Sequence, residues 1–147
     1  MSMDAKQRVK ELILGIQQDG TRYGALQQLL LRQHSLLAAH DVDALAEHNQ
    51  QQTQLMMQVQ QQAQQRCQHL LALGLKPDEK GMAALIEKLP ANLQHKVAKQ
   101  WLQLEQLLQQ CLRQNELNGR LLAGQIETIN TLLGQEPAYG QQERFPD

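Results

Sequence analysis

Five histidines, two cysteines and a scatter of carboxylates are the side chains here that could bind a metal, exchange electrons or move a proton. A metal site on helices needs ligands one turn apart, as in HxxxH or HExxH, so that two imidazoles reach one ion. The histidines stand at 34, 40, 48, 69 and 95 and form no such pair, and no Cys/His cluster has zinc spacing. Solvated or partly packed imidazoles are their expected state. Cys67 and Cys111 do not make a CxxC pair and fall on apolar helical stripes, as small buried thiols do in a reducing compartment. Asp41/Asp43, Asp78/Glu79 and Glu105 lie at helix starts or on polar faces, where they complement helix ends rather than form an acid/base couple. There is no glycine-rich phosphate loop and no G-x-S-x-G elbow. We therefore assign no catalytic residue, metal ligand or cofactor, and expect a protein that is not an enzyme.

The elements that carry these side chains read as helices. The 147 residues are long enough to bury one core. Leucine and glutamine abound, and the aromatic residues are only Tyr23, Trp101, Tyr139 and Phe145. Straight-chain residues outnumber β-branched ones, which favours helix over sheet. A formal net charge of −1 argues against nucleic-acid binding. No basic leader precedes an apolar run, and no stretch of about 18 apolar residues occurs, so a cytoplasmic protein without membrane insertion is expected.

Apolar residues at i, i+3, i+4 and i+7 mark three long segments. The first, from about Asp4 to Ala38, carries Val9, Leu12/Ile13, Ile16, Gly20, Tyr23, Leu26, Leu30 and Leu37, with a bend expected at Asp19-Gly20. Asp41 is placed to cap the second, which runs from about Val42 to Leu73 with Leu45, Gln52, Met56, Val59, Ala63, Cys67, Leu70 and Leu71 inward. Its glutamine tracts keep helical spacing, so they read as a solvated face. Gly74 ends it. In "LKPDEKGMAALIEKLP", Pro77 breaks the chain, Asp78 caps a short helix bearing Met82, Leu85, Ile86 and Leu89, and Pro90 stops that helix. Asn92 is expected to cap the last segment, which runs to about Leu133 before Gly134. The pattern predicts an all-α fold: an elongated antiparallel bundle of three long helices plus one short connector helix over residues 1–134. The remaining 135–147 form a polar, proline-bearing, flexible C-terminal tail.

Within the last segment, "RQNELNGRLL" places Asn115, Asn118 and Gly119 where better helix formers are expected. The apolar seam 93, 97, 101, 104, 108, 111, 115, 118, 122, 126, 129, 133 includes both asparagines. An unpaired buried amide costs about 1–3 kcal/mol, so each asparagine must find a partner across the bundle, where it would fix register. Gly119 would permit close backbone approach. Past position 116 the apolar arc widens from about 80° to about 180°, beyond the roughly 100° that one helical neighbour covers. Leu117, Leu121 and Leu132 form the extra flank. It is covered either by the short helix or the first helix, or by an amphipathic helix from another molecule.

"DVDALAEH", "LLALGLKPDEKGMAALIEKLP", "LEQLLQQCLRQNELNGRLLAGQIETINTLLG" and "AYG" together resemble the flagellar export chaperones of the FlgN type. The element that carries the resemblance is N-x-x-N-G-x-L-L, here Asn115, Asn118, Gly119, Leu121 and Leu122, and the likeness spans nearly the whole chain in order. It implies a cytoplasmic chaperone that keeps the two hook–filament junction (hook-associated) proteins monomeric and competent for export. It also implies that the C-terminal segment grips an apolar client helix. Carried over, the client-binding positions are Leu117, Leu121, Leu122, Ile126, Ile129, Leu132 and Leu133, and Tyr139 is the candidate for docking on the flagellar export gate. Glu143 stands where the family often has a second glycine after the Tyr-Gly pair. Two other readings fit the same physics: a homo-oligomeric coiled-coil scaffold, and a secretion chaperone of another apparatus.

Overall fold

The computed structural model describes residues 3–134. Among them the order is α1 (Ala5–Ala38), α2 (Val42–Ala72), α3 (Glu79–Glu87) and α4 (Ala91–Leu132). Local chemistry sets most boundaries. Asp4, Asp41 and Asp78 each accept a first-turn amide, which satisfies donors that a helix start leaves free. His40 ends α1 in the left-handed region, at φ 55°. Gly74 and Gly134 follow α2 and α4 at φ 77° and 76°, conformations that glycine adopts without strain. Asn92 does not cap α4. The capping position belongs to Pro90, which has no hydroxyl or amide to offer, and α4 starts without a side-chain cap.

α1 is the middle member. α2 packs antiparallel to it, with Gln33 bonded to Asn49 and Gln52 near one end and Arg8 within 3.2 Å of His69 near the other. α4 packs on the opposite flank of α1 and runs parallel to it, because the connector and α3 carry the chain back to the start of the bundle. The α1–α4 register is constant: Cys111 meets the Tyr23 carbonyl, Asn118 that of Leu30, and Gln125 that of Leu37, each pair 88 residues apart. Every seventh residue of α4 from Val97 to Asn118 is buried, namely Val97, Leu104, Cys111 and Asn118, and at the same offset these face Val9, Ile16, Tyr23 and Leu30 on α1. A strict seven-residue repeat is the signature of coiled-coil packing.

The alternate seam positions behave differently. α2 and α4 both lie along α1 but pack little on each other, so Leu93, Leu108, Ile126, Ile129 and Leu133, expected on the core seam, are exposed. Met56 and Leu71 of α2, also expected inside, are exposed for the same reason. α3 folds against α4 with Met82, Leu85 and Ile86 buried. Gly81 makes this elbow possible: a Cβ there would stand 1.7 Å from the Lys76 carbonyl oxygen.

α1 does not break at Asp19-Gly20. Asp19, not Gly20, occupies the buried row, and it is wholly enclosed. Arg66 of α2 reaches its carboxylate at 3.0 Å and Arg22 at 3.4 Å, and Arg66 also lies 5.2 Å from the centre of the Trp101 ring. One buried acid thus ties together all three long helices. Burial pushes its pKa up, although both guanidiniums pull it down. An acid whose pKa is raised on folding favours the folded state most when protonated, so its contribution falls as pH rises from the ordinary carboxylate range through the folded value. Arg66→Ala leaves that carboxylate with Arg22 alone and is expected to cost about 3 kcal/mol at pH 7. Part of the loss should return at pH 5. Urea unfolding at both pH values checks this, and a loss that does not change with pH would place the cost in the packing of Arg66 on Trp101 instead.

Candidate functional site

The polar residues flagged in α4 part company. Asn118 is buried and its side-chain bonding capacity is filled. Its Nδ2 donates to the Leu30 carbonyl at 2.8 Å and to Gln33 Oε1 at 3.0 Å. Its Oδ1 accepts from Gln114 Nε2 at 3.0 Å and from His34 Nδ1 at 3.0 Å. Gln33 Oε1 accepts in turn from Gln52 Nε2 at 3.3 Å, and Gln52 Oε1 faces His48 Nε2 at 3.1 Å. A chain of side-chain hydrogen bonds thus crosses the bundle from α2 through α1 to α4. His48 and Gln52 are both buried in it, so His48 is not a solvated or partly packed imidazole.

Asn115 takes no part. Half-buried and without a side-chain hydrogen bond among the described residues, it lines an apolar hollow of about 460 Å³ between α2 and α4. Tyr23, Leu26 and Leu30 of α1 form the floor of that hollow, with Met56 and Met57 on one wall and Leu108 and Leu112 on the other. Nor does Gly119 allow close approach: a Cβ there would meet nothing within 4 Å. The glycine costs helix stability without a steric return in this chain.

Beyond Asn118 the register decides what is covered. Carrying the constant offset to the end of α1 places Ala38 level with Ile126, so among the described residues the last turns of α4 project past α1. Leu121 and Leu122, before the overhang, are half-buried. Leu117, Ile126, Ile129, Leu132 and Leu133 retain 49%, 43%, 53%, 81% and 68% of their surface, too much to count as core. α3 cannot cover them, because it packs at the opposite end, against the start of α4. Leu108 and Leu112 of the hollow are exposed on the same helix, so apolar side chains uncovered among the described residues recur along α4 from there to Leu133. Tyr139 lies outside the described residues.

Among the described residues no group of three or more His, Cys, Asp or Glu is placed to hold a metal, and no helix is long and apolar enough to cross a membrane. Burial raises the pKa of the Cys111 thiol, away from the reactive thiolate.

The described residues thus form an all-α bundle with a register-locked middle and an exposed apolar helix end. The family model for FlgN protein matches residues 1–134. The chain belongs to the FlgN family, a chaperone family of flagellar export. No curated protein and no solved structure matches it.

Two substitutions separate the roles within the motif. Asn118→Ala strands partners on α1 and α4 and is expected to lower stability by about 1–3 kcal/mol. Gly119→Ala should raise it by about 0.5–1 kcal/mol, since the added methyl meets open space. Thermal unfolding followed by circular dichroism reads both signs.

Proposed function

We propose that this protein is a cytoplasmic flagellar export chaperone for hook-associated proteins, and that the exposed end of α4 is its client-binding surface. Membership of the FlgN family supports the chaperone role. The observation that carries the site is the overhang of α4 past α1, which leaves Ile126, Ile129, Leu132 and Leu133 bare among the described residues, with Leu117 exposed below it. Leu121 and Leu122 border this strip and complete the grip.

The client contributes an amphipathic helix from its C-terminus. That helix would otherwise pair with copies of itself through its apolar stripe. Laid along α4, the stripe is removed from water at about 25 cal/mol per Å² of apolar surface, less the cost of ordering both partners. No bond is made or broken, so release requires only a competing surface. Tyr139 is proposed as the contact with the export gate, on the strength of the family resemblance.

Leu117→Ser, Ile129→Ser and Leu132→Ser alter exposed side chains and should leave the helix content unchanged. Together they are expected to weaken binding of a client C-terminal peptide at least about tenfold, roughly 1.4 kcal/mol, in isothermal calorimetry. Unchanged affinity in the folded triple variant would refute the assignment. The same bare strip would also serve self-association, and light scattering of the wild-type protein distinguishes the two. A monomer that binds client is the outcome expected, and a stable dimer that buries the strip and ignores the client favours the scaffold.

A further inference from the structure

A second apolar hollow, of about 450 Å³, lies at the opposite end of the molecule. Val9 and Ile13 of α1 form one side, and Leu75, Leu85, Leu89 and Leu93 of the connector, α3 and the start of α4 form the other. Counting the rise of α1 from Ile13 to Leu37, it is about 36 Å from the client strip. Nothing in the proposed grip on a client uses it.

Its charge identifies the kind of partner it fits. Lys6, Lys10 and Lys88 stand around the mouth, all exposed, and no carboxylate lines the hollow. They belong to a wider bias: the seven lysines of the sequence, at 6, 10, 76, 80, 88, 96 and 99, all fall in the first turns of α1, the connector and α3 region, and the first turns of α4. With Arg8 these make eight cations against the five carboxylates Asp4, Glu11, Asp78, Glu79 and Glu87 of the same end, a local net of +3 in a chain whose total is −1. A field of one sign around an apolar pit selects a ligand of the opposite sign with an apolar face.

The spacing points to a helix. Val9 and Ile13 are one turn apart on the floor, and Lys6 and Lys10 are one turn apart on the rim, with Lys88 on the facing wall. A helix with apolar residues one turn apart and carboxylates flanking them presents the matching pattern on the same period. A single-headed amphiphile would engage one point of this rim and leave the facing lysine idle.

We propose that this hollow docks an amphipathic, acid-flanked helical segment of a partner protein other than the client, so that the chaperone can hold both at once. A fluorescent helical peptide with Leu at i, i+3, i+4 and i+7 and Glu on both flanks is the probe, with a Lys-flanked peptide of the same apolar face as control. Anisotropy should show binding of the Glu peptide alone, weakening as salt rises. The variant Lys6→Glu, Lys10→Glu, Lys88→Glu should lose at least about tenfold in affinity. The Leu117→Ser, Ile129→Ser, Leu132→Ser variant should bind this probe like the wild type, which separates failure here from failure at the client strip. Equal binding of the Lys peptide overturns the proposal, as do retained affinity in the lysine variant and loss of binding in the strip variant. Binding of oleate at this site with no binding of the Glu peptide also overturns it.

Discussion

The parallel packing of α4 on α1, held at one register from Tyr23 to Leu37, is the constraint from which the other features follow. Because α2 occupies one flank of α1 and α4 the other, each outer helix has a single lengthwise neighbour. A helix with one neighbour needs only a narrow apolar stripe, yet α4 carries a broad one. The surplus becomes the wall of a hollow in the middle of the bundle and a bare strip at its end. Both outward-facing apolar surfaces are therefore consequences of helix order, since a fourth long helix between α2 and α4 would cover them.

Two buried polar groups hold that order, by different means. Asp19 draws cations from its own helix and from α2, one of which also covers Trp101 of α4, so it reports whether all three helices are assembled. Burial raises its pKa against the pull of the two guanidiniums, so its carboxylate depends on both arginines staying in place. Asn118 works without charge. Every donor and acceptor of its amide is used, which a displaced helix could not reproduce.

Much of this was legible in the residues, and the exceptions have physical causes. The punctuation by Asp41, Gly74, Pro77, Asp78 and Pro90 gives four helices with nearly correct ends, because caps and breakers act locally. The seven-residue seam was readable, and so was a partner for Asn118. What periodicity cannot supply is the number of neighbours a helix has, so the alternate seam positions, Asn115 among them, were placed inside when they border open space. Asp19 was missed because an acid beside a glycine reads as an interruption, and its partner Arg66 lies 47 residues away. Gly119 invited a packing explanation that its open surroundings do not support. The lysine-rimmed hollow joins the start of α1 to segments 60 or more residues further along the chain, and no linear pattern announces it.

The asparagine network and the bare strip are linked through register. Shifting α4 by one heptad toward the start of α1 would bring Ile129 level with His34 and bury apolar surface now in water, a change that favours the shifted state on area alone. The same shift would carry Asn118 to the level of Tyr23, where Leu26 stands in place of Gln33, so its amide would lose the link through Gln33 and Gln52 to α2, although the Tyr23 carbonyl and Gln27 lie at that level. Leaving Gln33 and the buried Gln52 without that link costs about 1–3 kcal/mol. The buried amide thus opposes the collapse that apolar burial would drive, and it keeps the end of α4 outside. On this argument the conspicuous asparagine of the motif does not touch a client. It holds out the end of α4 that we propose as the client surface.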